Sequence, residues 1–217
     1  MAQGRWPAGV SAAESDWRRL LEFGAATVYE AQGCRGAVDE AIKPIDPGMQ
    51  IVGPAYPVDA GYADNRMLHL ALTRVPPGHV LVVDARGCVH AGPWGDVLTR
   101  AAQQARVVGL VIDGAVRDAQ RIVDLGFPVF ARGLSIRATS KQHRGETGGR
   151  VVIGGCAVSM GDVVVGDRDG VVIVTADDVE NVLVAAAGRE AHEQNIVAQV
   201  QAGTTTADLL NLSSDDA

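Results

Sequence analysis

Asp96, Arg117 and Asp118 are the residues whose types and spacing could do chemistry. They stand near the two ends of GPWGDVLTRAAQQARVVGLVIDGAVRDAQR (residues 92–121), with 20 residues between the first acid and the arginine. Two carboxylates suit a hard divalent cation, and a guanidinium offers a planar fork of donors to a carboxylate or carbonyl. The stretch reads as loop, helix, buried strand, glycine turn and helix. Asp96 precedes the helical run Val97 to Arg106, Leu110 to Asp113 (LVID) is a short apolar strand, and Gly114 opens the turn before Arg117-Asp118. A helix folded back along such a strand brings both ends to one sheet edge, where a helix N-terminus already favours anions. Local alternatives stay open. Arg117-Asp118 also fits a surface ion pair at a helix start, and Asp96 fits a plain N-cap.

The elements that must position these residues follow in chain order. Residues 1–13 read as a loose arm, and Ser11 or Ser15 caps a first helix through Trp17, Leu20 and Leu21. Gly24 breaks that helix, and Ala25 to Gln32 forms a second one ended by Gly33. Glu30 either faces a site or is a solvated helix charge. Met49 to Val58 is β-rich but carries Gly53, Pro54 and Pro57, which predicts an edge or bent strand. Asp64 and Asn65, both favoured caps, start a helix containing Met67, Leu68, Leu70 and Leu72. Pro76-Pro77-Gly78 marks a turn, and His79 to Asp84 (HVLVVD) is apolar enough for a sheet covered on both faces. A helix to Leu125 and a strand from Pro128 to Ala131 complete an alternation that implies βα units with parallel strands.

After Arg132 the character changes. Residues 139–150 form a polar, glycine-rich loop, in which His143 and Arg144 read as solvated rather than catalytic. Short β segments follow at Val151 to Ile153, Val163 to Val165 and Val171 to Val174, with Arg168-Asp169-Gly170 as a tight turn. A final helix over 177–203 is capped by Asp177 or Asp178. Val179, Val182, Leu183 and Ala186 dock its first half, while the polar second half reaches a neighbouring subunit. Neither an internal repeat nor a linker is visible, so 1–217 reads as one domain.

With 217 residues and 47% hydrophobic content, the chain can bury a full core, and 4% aromatics means that Val, Leu, Ile and Ala build it. A net charge of −7 without a basic run argues against nucleic-acid binding through phosphates, but not against small anionic substrates. Cys34, Cys88 and Cys156 are widely spaced, without C-x-x-C, as expected of reduced thiols in the cytoplasm. The N-terminal stretch has no apolar core of a signal peptide, and no run reaches membrane-spanning length.

Five segments occur in a fixed order: TVYEAQG (27–33), ADNRMLHLAL (63–72), GPWGDVL (92–98), DGAVRD (113–118) and GDVVVGDRDGVVIV (161–174). Together they resemble the RraA-like family, and within it the class II pyruvate aldolases. The resemblance implies a single-domain α/β fold, a layered α/β/β sandwich with flanking N- and C-terminal helices. It also implies a homotrimer or hexamer with its active site at the subunit interface. The implied reaction cleaves a 4-hydroxy-2-oxo diacid, such as 4-hydroxy-4-methyl-2-oxoglutarate or 4-carboxy-4-hydroxy-2-oxoadipate, to pyruvate and a 2-oxo acid. Oxaloacetate decarboxylation is the expected side activity, because it passes through the same enolate. On this reading Asp118 ligates Mg2+ or Mn2+ and Asp96 holds metal-bound water. Arg117 holds the keto oxygen and the hydroxyl, and Gly95, Asp96, Val97 and Leu98 form the carboxylate seat. Asn65 lies near the substrate, and Glu193, with Glu190 second, is the acid supplied by an adjacent subunit. A Schiff-base route needs a desolvated lysine, and Lys43 and Lys141 both lie in polar sequence. The alternatives are a non-catalytic regulator that binds an RNA-degrading enzyme, or a relative acting on another aldol substrate.

Overall fold

The computed structural model describes residues 17–212; the expected arm at 1–13 and the Ser11 or Ser15 cap lie outside them. After a 3-10 turn come α1 (Leu20–Ala31) and the short β1 (Lys43–Pro44). The expected break falls inside α1, where Gly24 is non-helical (φ 80, ψ 159) and Asp167 Oδ2 accepts the Ala25 N–H at 2.7 Å. Strands β2 (Ile51–Asp59), β3 (Val80–Cys88), β4 (Gly109–Val116) and β5 (Val129–Leu134) then pair in parallel, each beside its predecessor. They are connected by α2 (Arg66–Ala71), α3 (Asp96–Gln104) and α4 (Ala119–Asp124).

Each crossover steps the same way, and right-handed crossovers then put all three helices on one face. Met67, Leu68, Leu98, Ala102 and Ile122 pack there against Leu81, Val83, Leu110 and Ile112. The alternate residues Val80, Val82, Val111 and Phe130 point the other way, onto Val151, Ile153 and Val158 of the hairpin β6 (Arg150–Ile153) and β7 (Cys156–Ser159). The result is the expected α/β/β layering, and it explains why VLVV has no polar side. β8 (Val163–Asp167) and β9 (Gly170–Val174) extend the sheet in the order β1-β5-β4-β3-β2-β8-β9. α1 and the long α5 (Val179–Gln201) cover that end through Leu20, Val28, Val179, Val182 and Leu183.

Two expectations are corrected. β2 is not an edge: Ile51–Pro54 pair with β8 and Ala55–Asp59 with β3. The prolines are tolerated because their missing N–H groups fall outside these ladders. Pro54 precedes the β3 pairing, and Pro57 faces the 146–148 segment, where Gly148 N–H donates to its carbonyl at 2.8 Å. Gly114 lies inside β4 instead of opening a turn. A Cβ there would come within 2.9 Å of Ala85 Cβ and 3.1 Å of the Cys88 carbonyl, beside the bulge in β3. The polar 139–150 loop is pinned to the sheet end by buried Asp64, which accepts from Ser140 Oγ, Gln142 N–H at 2.6 Å and His143 N–H at 3.2 Å.

Burial works against the Asp64 carboxylate, but these bonds and the Arg66 N–H outweigh it and hold its pKa down at about 2. Asp178 takes the N-cap position of α5 without a side-chain capping bond. A further helix, α6 (Thr206–Leu209), follows, with Thr205 Oγ1 accepting the Asp208 N–H at 3.1 Å. Among the described residues no helix is long and apolar enough to cross a membrane.

Candidate active site

Both ends of the 92–121 stretch meet where β4 gives way to α4. The Pro93-Trp94-Gly95 turn lies against the end of β4: Trp94 bridges Val116, and its carbonyl accepts the Arg117 N–H at 2.8 Å. Trp94 is fully buried and stacks on Phe127 with ring centroids 6.2 Å apart. Its indole N–H donates to Thr99 Oγ1 at 2.8 Å, and that hydroxyl donates to the Gly95 carbonyl at 3.0 Å. A wholly buried chain of bonds thus fixes the turn from which α3 starts.

Asp96 is the first residue of α3, with Gly95 at the N-cap position. The plain N-cap reading of Asp96 therefore fails, and its carboxylate is left for other partners. Asp118 occupies the left-handed region (φ 57, ψ 33) at the N-cap position of α4, an uncommon conformation that aspartate tolerates better than most residues. It makes no side-chain cap bond to α4. Its Oδ2 instead faces α3, 3.4 Å from the Asp96 N–H and 3.5 Å from Arg117 Nε. Arg121, one turn into α4, places Nη1 3.4 Å from Asp96 Oδ2. Arg117 and Asp118 remain partly open to solvent, at 47% and 34% side-chain exposure. The first turn of α3 leaves the Val97 and Leu98 N–H groups without intrahelical acceptors.

Asn65 joins this neighbourhood from α2. It sits at the N-cap position without capping, because Asp64 accepts the Arg66 N–H. Its Nδ2 donates to the Pro93 carbonyl at 3.4 Å, and its buried Oδ1 has no hydrogen-bond partner. Gly95 is needed for space: a Cβ there would lie 2.6 Å from Asp118 Oδ2. Thus Asp96, Arg117, Asp118, Gly95, Val97, Leu98 and Asn65 converge.

Other candidates lie elsewhere. Glu193 pairs with Arg189 at 3.2 Å on α5, and Arg189 also binds Glu30, so Glu30 braces α1 against α5. Within one chain neither acid joins the Asp96–Asp118 group. His143 is packed, not solvated: its Nε2 lies 3.2 Å from Asp59 Oδ1 and its ring fills the space above Gly61. Lys43 is exposed and bonded to the Asp169 carbonyl.

The sequence reading missed three features. Thr99 was hidden as an ordinary helical polar residue, although its spacing from Gly95 is that of a helical hydroxyl bonding back. Arg121 follows Asp118 by one turn, an i,i+3 neighbour that the spacing could have shown. Asp59, Asp84 and Asp113 stand in register across β2, β3 and β4. Arg86 bridges the first two at 2.9 and 3.0 Å, Arg132 clasps Asp113, and the Gly154 N–H donates to Asp113 at 2.7 Å. These bonds tie the strand ends to the β6–β7 hairpin and give the row a structural task. Burial raises the Asp84 pKa there.

The donor set limits which metal fits the site. Among the described residues no three His, Cys, Asp or Glu side chains gather closely enough to hold an ion. Asp118, with 34% of its side chain exposed, and the more sheltered Asp96, with 17%, are two hard carboxylates, a set that would suit a largely hydrated Mg2+ or Mn2+ better than zinc.

The RraA-like family, described as Aldolase/RraA, matches residues 25–173. A Halalkalibacterium halodurans protein provisionally named 4-hydroxy-4-methyl-2-oxoglutarate aldolase is 36% identical over 153 residues, covering 70% of this chain and 73% of that protein. Protein DlpA of Legionella pneumophila is 29% identical over 76% of this chain, which spans only 28% of DlpA. Among solved structures, Streptomyces coelicolor RraAS2, described as an unusual member of the RNase ES inhibitor RraA protein family, superposes with a TM-score of 0.75 and 28% identity. That match covers 89% of this chain and 100% of RraAS2. The family match over residues 25–173 spans the βα units, the Gly95–Asp96 turn and the Arg117-Asp118 corner, and this chain belongs to the RraA-like family.

Proposed function

We propose that the protein is a divalent-metal-dependent aldolase that cleaves a 4-hydroxy-2-oxo diacid to pyruvate and a 2-oxo acid, and that also decarboxylates oxaloacetate. The left-handed Asp118 carries this reading: its carboxylate is turned off its own helix and towards the start of α3. A capping aspartate would accept from the N–H groups of its own helix, and Asp118 does not. The similarity to the Halalkalibacterium protein supports the substrate class.

Asp118, with Asp96 beside it, would hold Mg2+ or Mn2+, which when bound supplies a Lewis acid for negative charge on the substrate's keto oxygen. The Val97 and Leu98 N–H groups seat the C1 carboxylate, where the helix dipole adds to the attraction. Arg117 binds the keto oxygen and the C4 hydroxyl, and so aligns the C3–C4 bond for cleavage. The hydroxyl proton passes to water that Asp96 is placed to hold. The C3–C4 electrons move to C3, C4 becomes a carbonyl, and protonation at C3 releases pyruvate. In oxaloacetate, loss of carbon dioxide generates the same enolate.

The site is completed in a homotrimer or hexamer by Glu193 of α5 in an adjacent copy. Two features favour an interface here. Val97 and Ile136, beside the site, are 69% and 94% exposed. The second half of α5 buries none of its residues in this chain.

A second reading, a regulator binding an RNA-degrading enzyme, is favoured by the likeness to RraAS2. Pyruvate release from oxaloacetate separates the two. Release that needs Mg2+, stops with EDTA, exceeds the metal-only background and disappears in Asp118→Ala supports the aldolase. Absence of release from folded protein refutes it in favour of the regulator.

A further inference from the structure

Arg121 is the cation of the site that the proposed chemistry does not use. It lies one helical turn beyond Asp118 on α4, and its contact with Asp96 Oδ2 is a single 3.4 Å approach through Nη1. A guanidinium has five N–H donors, and a bidentate clasp on a carboxylate would engage two of them. The side chain is 71% exposed, so most of its fork faces solvent at the mouth of the site. An exposed, one-point ion pair of this kind contributes little to stability. Structural support is therefore a weak account of the residue.

The contacts suggest a task. Arg121 Nη1 approaches Asp96 Oδ2 while Asp118 Oδ2 approaches the Asp96 N–H, so the guanidinium and the Asp118 carboxylate border the same residue at the start of α3. Asp118 and Arg117 define the 2-oxo acid end of the substrate, and Arg121 adjoins it.

We propose that Arg121 binds the distal carboxylate of the substrate and so makes the site selective for 2-oxo diacids over 2-oxo monoacids. This rests on the aldolase reading above. Arg121 moves from its single contact with Asp96 to a two-point contact with the incoming carboxylate, so Asp96 is released as the substrate arrives.

Two 2-oxo acids with no 4-hydroxyl to cleave test this by calorimetry on the Mg2+-loaded protein: 2-oxoglutarate, and 2-oxopentanoate, which has a methyl group in place of the distal carboxylate. The wild type is expected to bind 2-oxoglutarate about tenfold more tightly, as one solvent-facing charge-assisted pair supplies. Arg121→Gln should erase that preference and leave 2-oxopentanoate affinity unchanged, and Arg121→Lys should restore part of it. The proposal is overturned if the preference survives in Arg121→Gln. It is also overturned if both affinities fall together, because Arg121 would then act only by holding Asp96. A wild type that binds neither acid refutes the aldolase reading itself, and the proposal with it. That result is visible before any variant is made.

Discussion

Gly95→Ala separates the site from the fold. The added Cβ would lie 2.6 Å from Asp118 Oδ2 and 3.1 Å from Arg117 Cγ, where ordinary contacts begin at 3.4 Å. The carboxylate must therefore retreat by about 0.8 Å, the difference between 3.4 and 2.6 Å. It has room to do so, because the Asp118 side chain is 34% exposed. The backbone adds no strain, since Gly95 is extended (φ −158, ψ −167) and any residue adopts that conformation. Stability should thus change by about 1 kcal/mol or less, a Tm shift of about 2–4 °C for a chain of this size. On the proposed role of Asp118 as metal ligand, displacing its carboxylate by nearly 1 Å should instead cost about 100-fold in kcat/KM, about 2.7 kcal/mol of barrier. Mg2+-dependent pyruvate release and a thermal melt read the two effects separately. Activity within about threefold of wild type, with an unchanged melt, would show that the position of Asp118 does not matter to turnover and would refute the reasoning.

Arg117→Ala should remove oxaloacetate decarboxylation while the melt stays close to wild type; a collapsed transition would make the residue a structural pair with Asp118. Glu193→Gln should impair turnover without changing the oligomeric mass in light scattering, and an unchanged rate would discard the acid from a neighbouring copy. Asp64→Asn should flatten the acid side of the stability profile. The folded pKa, about 2, lies below the usual 3.8, so the stabilisation is present above pH 4 and is lost as pH falls through about 2. It amounts to about 2 kcal/mol by linkage. Urea unfolding at pH 7 and pH 3 checks this, and equal slopes for both proteins would overturn it.

The sequence by itself determined what depends on neighbours along the chain. Apolar runs such as VLVV, separated by helical periods, led to parallel strands covered on both faces. Glycines 24 and 33 marked where α1 breaks and ends, and the ordered motifs identified the family and the Asp96, Arg117 and Asp118 set. Tertiary structure decided what depends on partners far away. β2 is interior because β8, more than a hundred residues later, pairs with its first half, and proline content alone cannot reveal that. The polar 139–150 loop is held because Asp64 collects its N–H groups, a gathering that composition does not encode. Asp96 is not a cap, and its carboxylate turns to Arg121, because Trp94 and Thr99 fix the Gly95 turn so that α3 is capped one residue earlier. The contact of Arg121 with Asp96, 25 residues earlier, exists only because α4 packs its first turn against the start of α3. Local periodicity sets which elements form, whereas side-chain chemistry at a site depends on distances that only the packed chain defines.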